Sequence, residues 1–393
     1  MIPYGRHFID DDDIAAVVEV LKSSNLTQGP AVGKFEQDIA SYVGAKYAVA
    51  VSSATAGLFL STNVLSAGSQ ETSFYTSPIT FVASSNAALY CGLKPRFVDV
   101  EKDTVNICPL QLQEKIFNDS NKVKIIMPVH FAGLPCKMNQ ISKIASDTGA
   151  VIIEDAAHAL GAKYECGSMV GSCKYSTFTV FSFHPVKNIS TGEGGVITTN
   201  DQNLYLKLLR LRSHGINKLN DEMINKERAY TDGEINPWYY EMQELGFHFR
   251  ITDIQAALGS SQLKKLPLFH SRRKEIVQKY HNAFANNEYV SISQQDTLEL
   301  SAHHLFVALI DFDKAGISRA RLMKALSEKN ILTQVHYIPV VLNPYYENLG
   351  YSIDQFPNSN SFYKSALSLP NYFSLSDKDQ DYVISTIENI LRC

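Results

Sequence analysis

Thr177-Phe178-Thr179-Val180-Phe181-Ser182-Phe183-His184-Pro185-Val186-Lys187-Asn188-Ile189-Ser190-Thr191-Gly192-Glu193-Gly194-Gly195 passes from an apolar run, through one lysine, into a cluster of small residues and glycines. Thr177 to Phe181 reads as a buried strand. Open α/β sheets bind ligands outside the carboxyl ends of their strands, so a lysine just past such a strand marks both a fold class and a place to look. The plainer alternative is a surface lysine on a turn. The stretch is not a P-loop, because Lys187 does not directly follow a glycine.

Working outward, Tyr47–Val51, Thr72–Thr76, Arg96–Val100, Lys124–Val129, Val151–Glu154 and Val196–Thr199 are further strand candidates. Asp11–Lys22, Thr55–Leu65 and Phe81–Tyr90 have helical spacing. This alternation predicts an α/β fold with a mostly parallel sheet covered on both faces. Beyond Thr252 the pattern changes. Two helices (Thr252–Leu266 and Ser271–Phe284) flank Pro267, followed by a strand (His304–Ile310), a helix (Arg319–Lys329), a strand (Ile331–His336) and a last helix (Asp377–Leu391). The expected division is a large α/β unit, 1–262, and a small α+β unit, 263–393. Ile216–Glu241 is polar with little periodicity, yet holds Tyr230, Trp238, Tyr239 and Tyr240, which suits a covering loop.

Lys+Arg is 36 and Asp+Glu is 40 among 393 residues, a formal charge of −4. That balance argues against a nucleic-acid binder and gives no support to a polybasic membrane anchor. No window is apolar enough for a membrane span, and Met1–His7 lacks the core of a secretion signal. Cys91, Cys108, Cys136, Cys166, Cys173 and Cys393 form no C-x-x-C pair, so structural zinc is not expected. A reducing cytoplasm is the expected setting.

Two other strand ends carry chemistry. Val151-Ile152-Ile153 leads into Glu154-Asp155-Ala156-Ala157-His158, where a carboxylate could hold a cation or simply cap a helix. Tyr47–Val51 leads into Ser52-Ser53-Ala54-Thr55-Ala56-Gly57, where a helix start could take a phosphate or carry an ordinary cap. An amine, a buried carboxylate and a phosphate cradle, each after its own strand, suit pyridoxal phosphate. The lysine forms an imine with the aldehyde and the carboxylate keeps the pyridine nitrogen protonated.

The lysine stretch, with Leu26–Pro30, Ser53–Ala56, Pro78–Ala83, Glu154–His158, Arg212–Gly215, Thr252–Leu258 and Gln334–Tyr337, resembles the sugar-nucleotide aminotransferases of the DegT/StrS group over essentially the whole chain. The resemblance implies pyridoxal-phosphate fold type I. It implies that Lys187 and Asp155 are catalytic and that Phe81 stacks on the cofactor ring. His158, where many relatives have Gln, lies near the ring's 3-oxygen. Ala54, Thr55 and Ser182 bind the phosphate. His248, where relatives mostly have Asn, belongs to a stretch resembling one that reaches the partner subunit's cofactor, so a homodimer with shared sites is implied. Gln28, His214, Arg250, His336 and Tyr337 are the candidates for substrate contacts.

Pro237–Gly246 and His184–Lys187 resemble the aminotransferases of pseudaminic acid synthesis. Those enzymes move an amino group, usually from L-glutamate, to C4 of a UDP-linked 4-keto-6-deoxy-N-acetylhexosamine, giving UDP-4-amino-4,6-dideoxy-N-acetyl-β-L-altrosamine. The alternatives are another nucleotide-sugar 4-aminotransferase (4-amino-4-deoxy-L-arabinose or perosamine type), a sugar dehydratase on the same fold, and a non-catalytic regulatory homologue. Lys187 argues against the dehydratases, which carry histidine there.

Overall fold

The computed structural model describes residues 1–66, 71–121, 123–217, 222–295 and 297–392. A sheet of seven strands organises the first half: β1 Tyr47–Val51, β2 Thr72–Thr76, β3 Pro95–Phe97, β4 Val123–Met127, β5 Val151–Asp155, β6 Phe178–Ser182 and β7 Gly195–Thr199. Their order is β1-β7-β6-β5-β4-β2-β3. Every neighbouring pair is parallel except those made by β7, which runs antiparallel to both β1 and β6. The expected mostly parallel sheet is therefore present, with one reversed strand directly after the lysine stretch.

The strands are apolar throughout because both faces are covered. Side chains alternate between faces along a strand. Ala48, Ala50, Ile126, Ile152 and Phe181 enter one buried cluster, whereas Val49, Val51, Ile125, Ile153 and Val180 enter another. Helix α2 (Pro30–Val43) covers the first face through Phe35, Ile39 and Val43. Helices α3 (Ala54–Ser66) and α4 (Val82–Tyr90) cover the second through Leu58, Leu60, Ala87 and Ala88.

Three expectations need correction. The two helices placed around Pro267 are one helix of 32 residues, Asp253–Phe284. It opens on a capping box between Thr252 and Gln255. Proline removes a backbone donor and crowds the preceding turn, yet the helix is held from both sides. Leu263, Leu266 and Phe269 pack into the first cluster, and Ile276, Val277, Tyr280 and Phe284 into a separate one. The position chosen to divide the two units, 262/263, falls inside this helix, and the change of core comes between Phe269 and Ile276.

Ile331–His336 is not a strand: it makes single bridges, Ile331 to Ile2 and Gln334 to Ser368. The Gln334 bridge meets the outer edge of Ala366–Leu369 and does not extend into a ladder. Phe306–Ile310 lies between Val290–Ile292 and Ala366–Leu369 in an antiparallel sheet of three strands. Finally, β3 stops at Phe97, short of the expected Val100.

The Ile216–Glu241 segment is an arm rather than a bare loop. Its base pairs Ile216–Asn217 with Glu241–Met242, and a smaller hairpin joins Tyr230–Thr231 to Glu234–Ile235. Asp232 and Gly233 turn that hairpin with φ of 51° and 85°, the backbone that Asp-Gly favours. Positions 218–221 of the arm, and Cys393, lie outside the described residues. Cys91, Cys108, Cys136, Cys166 and Cys173 are free thiols.

Candidate active site

The alternation of β5 separates its two terminal acids. Glu154 points into the interior, where His130 Nε2 (2.7 Å), Tyr164 Oη (2.7 Å), Ser176 Oγ (2.5 Å) and Thr179 Oγ1 (3.1 Å) surround its carboxylate. His130 Nδ1 accepts the Cys136 N–H, so its proton sits on Nε2 and is donated to Glu154. Burial opposes the charge of Glu154, but these donors outweigh it and hold the carboxyl below its usual range. Asp155, on the other side, faces a cavity of about 470 Å³. No helix follows it, which removes the helix-cap reading.

Lys187 opens into the same cavity. A turn closes behind it, with Lys187 N–H donating to His184 O at 2.8 Å. Asn188 pins the segment by donating to Leu160 O (3.2 Å) and Ala302 O (3.1 Å). Burial lowers the Lys187 amine to about 8, and the negative charge of Asp155 works against that shift. The surface-lysine alternative is thereby excluded.

The start of α3 forms the third wall. Ser53 Oγ accepts the Ala56 N–H at 3.1 Å, so an ordinary cap is present, while Ala54 and Thr55 still line the cavity beside it. One of the glycines after Lys187 is required by close packing. A Cβ on Gly195 would lie 2.6 Å from Ala54 N and 2.7 Å from Ser53 C. Gly195 thus lets β7 pass directly behind the helix start.

Phe81, His158, Ser182, His336 and Tyr337 complete the set of expected residues that line this cavity. Phe81 is 60% exposed at its mouth, leaving the ring free to stack on a ligand. His158 Nε2 and Tyr337 Oη are 3.0 Å apart, and His158 Nδ1 is buried with no partner. Burial, with Lys187 nearby, holds His158 well below its ordinary value and His336 at about 4, so both rings are neutral at pH 7. Burial together with Asp155 pushes the Tyr337 hydroxyl up.

Four expected residues do not line the cavity. Gln28 sits in an exposed turn whose Gly29 and Ala31 N–H groups donate to Asp253 at 2.8 and 2.9 Å. His214 and His248 are exposed and stand together, ring centres 5.3 Å apart, joined by a bridge between Ser213 and His248. Arg250 is half-buried, with its Nε unpartnered. None of the described residues of the arm lines the cavity.

Sequence reading missed Tyr4, Thr80 and Glu193 in the lining, and His304, whose ring lies 4.3 Å from that of His158. Tyr4 arrives from the chain terminus and His304 from the small sheet's central strand region, so neither follows a strand of the large sheet. A larger groove, about 990 Å³ beside β3, holds none of the expected residues. Chemistry rather than volume locates the site.

The residues fit a phosphorylated pyridine aldehyde. An amine of lowered basicity, a buried carboxylate, a neutral imidazole and a helix start border one space.

Comparison with known proteins agrees. The DegT/DnrJ/EryC1/StrS aminotransferase family matches residues 7–388. The spore coat polysaccharide biosynthesis protein SpsC of Bacillus subtilis is 39% identical over 393 residues, covering 100% of this chain and 97% of that protein. A UDP-4-amino-4,6-dideoxy-N-acetyl-beta-L-altrosamine transaminase of Campylobacter jejuni is 36% identical over 391 residues, covering 100% and 98%. Helicobacter pylori PseC, an aminotransferase involved in the biosynthesis of pseudoaminic acid, superposes with a TM-score of 0.90 at 30% identity, covering 100% and 99%.

Proposed function

From the premise that this chain belongs to the DegT/DnrJ/EryC1/StrS aminotransferase family, we propose that it transfers the amino group of L-glutamate to C4 of a UDP-linked 4-keto-6-deoxy-N-acetylhexosamine, giving UDP-4-amino-4,6-dideoxy-N-acetyl-β-L-altrosamine. Membership makes it a pyridoxal-phosphate-dependent sugar aminotransferase of fold type I. The observation that carries the reading of the site is the meeting of Lys187, Asp155 and the α3 start in one cavity. The similarity to the altrosamine transaminase and to PseC supports the substrate.

When bound, the cofactor supplies an aldehyde that links to amines and a ring that withdraws electrons. The chain does the rest. Lys187 Nζ anchors the cofactor and then, once released, carries the proton away from the donor's Cα. Asp155 keeps the ring nitrogen protonated. The free N–H groups at Ala54 and Thr55, with Ser182, hold the phosphate. Phe81 covers one ring face, and neutral His158 meets the 3-oxygen. His336 and Tyr337 border the space left for the sugar.

His214 and His248, exposed and outside the lining of their own chain's cavity, serve a second copy's site in a homodimer, with Gln28 and Arg250 as the other contacts toward anionic substrate groups. A cytoplasmic location is part of the same reading; no helix among the described residues is long and apolar enough to cross a membrane. The division at 262/263 is retained as a functional one, with the small unit contributing His336 and Tyr337.

One observation favours a second reading: SpsC is slightly more similar than the altrosamine transaminase, 39% against 36%. Another nucleotide-sugar 4-aminotransferase is therefore the rival. UDP-, dTDP- and GDP-linked 4-keto-6-deoxy sugars, each offered with glutamate, separate the two, with mass spectrometry of the product and NMR at C4. Turnover confined to a dTDP or GDP sugar overturns the assignment.

A further inference from the structure

Behind Asp155 lies a pair of hydroxyls whose protons can be counted. Ser84, on α4, donates from Oγ to Asp155 Oδ2 at 2.5 Å. The other carboxylate oxygen accepts the Ala157 N–H at 3.1 Å. Thr80 Oγ1 lies 2.7 Å from Ser84 Oγ. A hydroxyl has a single proton and an ionised carboxylate has none to give. Ser84 therefore spends its proton on Asp155, and the Thr80–Ser84 contact is made with the Thr80 proton. The competing acceptor for Ser84, Phe81 O, is 3.4 Å away. Both hydroxyl residues are buried. Thr80 borders the cavity, whereas Ser84 does not and reaches it through Thr80 and Asp155.

We propose that Ser84, oriented by Thr80, is a positioning residue that fixes the Asp155 carboxylate and aims its remaining lone pairs at the ring nitrogen of the cofactor. This rests on the role given to Asp155 above. Charge-assisted donors stabilise the anion. Each one removed loosens the carboxylate from the geometry in which it would accept the ring's N–H, so the ring would hold its proton less firmly and withdraw electrons less strongly. The other titratable groups facing Asp155 are Lys187, from the β6–β7 connection, and Tyr337 and His158 across the cavity. None of these makes a hydrogen bond to its carboxylate among the described residues; Ser84 and Ala157 do.

The test uses the holoenzyme loaded with cofactor labelled with ¹⁵N in the ring, read by the nitrogen chemical shift and by the cofactor dissociation constant. The parent gives a protonated-ring signal. Ser84→Ala moves it toward the neutral ring and weakens cofactor binding by on the order of tenfold. Ser84→Thr, which restores a hydroxyl, returns both toward the parent. Thr80→Val shifts both in the same direction by less, and supplies an independent reading should Ser84→Ala not fold. Ser85→Ala, which removes the neighbouring buried hydroxyl that meets Tyr346 Oη at 2.7 Å, leaves the nitrogen signal where it was. An unchanged signal and affinity in Ser84→Ala, or in Thr80→Val, overturns the proposal. Asp155→Asn separates the two levels. If it moves the signal while Ser84→Ala does not, only the role of Ser84 falls; if Asp155→Asn is also silent, the role of Asp155 falls with it.

Discussion

Lys187 sets chemistry against stability. A lysine at its ordinary pKa is neutral in about one molecule in 2,500 at pH 7. At about 8 it is neutral in about one in ten, which makes it a usable base. The same burial costs the cofactor-free fold. Between about pH 8 and 10.5 the unfolded chain keeps the proton that the native chain has lost. The unfolded state then binds more protons, so this group's contribution to stability rises with pH across that window. Below pH 8 the penalty is present in full, about 3 kcal/mol by the size of the shift. Lys187→Met should therefore raise the Tm of the apoprotein at pH 7, with the difference shrinking as the buffer approaches pH 10. A pH-independent difference would mean that packing, not charge, is responsible. In the holoenzyme, borohydride reduction and peptide mapping should put the pyridoxyl label on Lys187, and Lys187→Ala should carry no label and turn over no glutamate. Lys187 and Asp155 were legible in the sequence because Asp155 ends an apolar strand and Lys187 follows shortly after another, places where ligands bind and buried polar groups need a reason. Ser84 was not legible: it lies 71 positions from Asp155, and only the packing of α4 against the end of β5 joins them.

Among the elements, β5 and β6 were readable because strands buried on both faces are apolar without interruption. What the residues did not reveal is which strand-like runs extend into a ladder. Ile331–His336 has strand-like residues but meets the outer edge of Ala366–Leu369 only at the bridge from Gln334 to Ser368. Pro267 misled for a related reason: local propensity says break, whereas two cores grip the helix on either side of it. Pro267 is exposed, so Pro267→Ala restores a backbone donor with little loss of packing. It should stabilise the protein by about 1–3 kcal/mol in urea unfolding. No gain would show that the helix accommodates Pro267 without loss. Gly195→Ala works in the opposite sense. Its Cβ would enter the space of Ala54 N and Ser53 C at 2.6 and 2.7 Å, both backbone atoms with no rotamer to escape through. The expected cost is about 1–3 kcal/mol, with weaker cofactor binding if the displaced turn holds the phosphate as proposed. Unchanged affinity for the cofactor would detach that turn from the phosphate.

At the scale of the whole molecule, two surfaces look unfinished. The arm and the residues just after it expose Trp238 (75%), Leu245 (78%), Tyr240 and Met242, and α1 (Asp11–Lys22) turns Ile14, Val18 and Leu21 outward while burying Asp13. Asp13 is satisfied by Gln262 and Lys265 of the long helix, which fixes the rotation of α1 and sends its apolar stripe to the surface. Exposed apolar patches of this kind mark contact surfaces, and His214 and His248 stand at the foot of the arm. If a second copy covers these surfaces in a two-fold dimer, each cavity takes Lys187 from one chain and His248 from the other. A mixing experiment decides this. Lys187→Ala alone and His248→Ala alone should each be nearly inactive. Unfolded together and refolded as a mixture, half the dimers pair the two variants. In each of these, one cavity carries both defects and the other carries none. Activity should return to about a quarter of the parent's, and sedimentation should show a dimer throughout. If both functional groups came from the same chain, every cavity in the mixture would carry one defect and no activity would return. The mixture therefore tests the shared site directly, without depending on which sugar nucleotide is the substrate, provided the parent's turnover with glutamate is measurable.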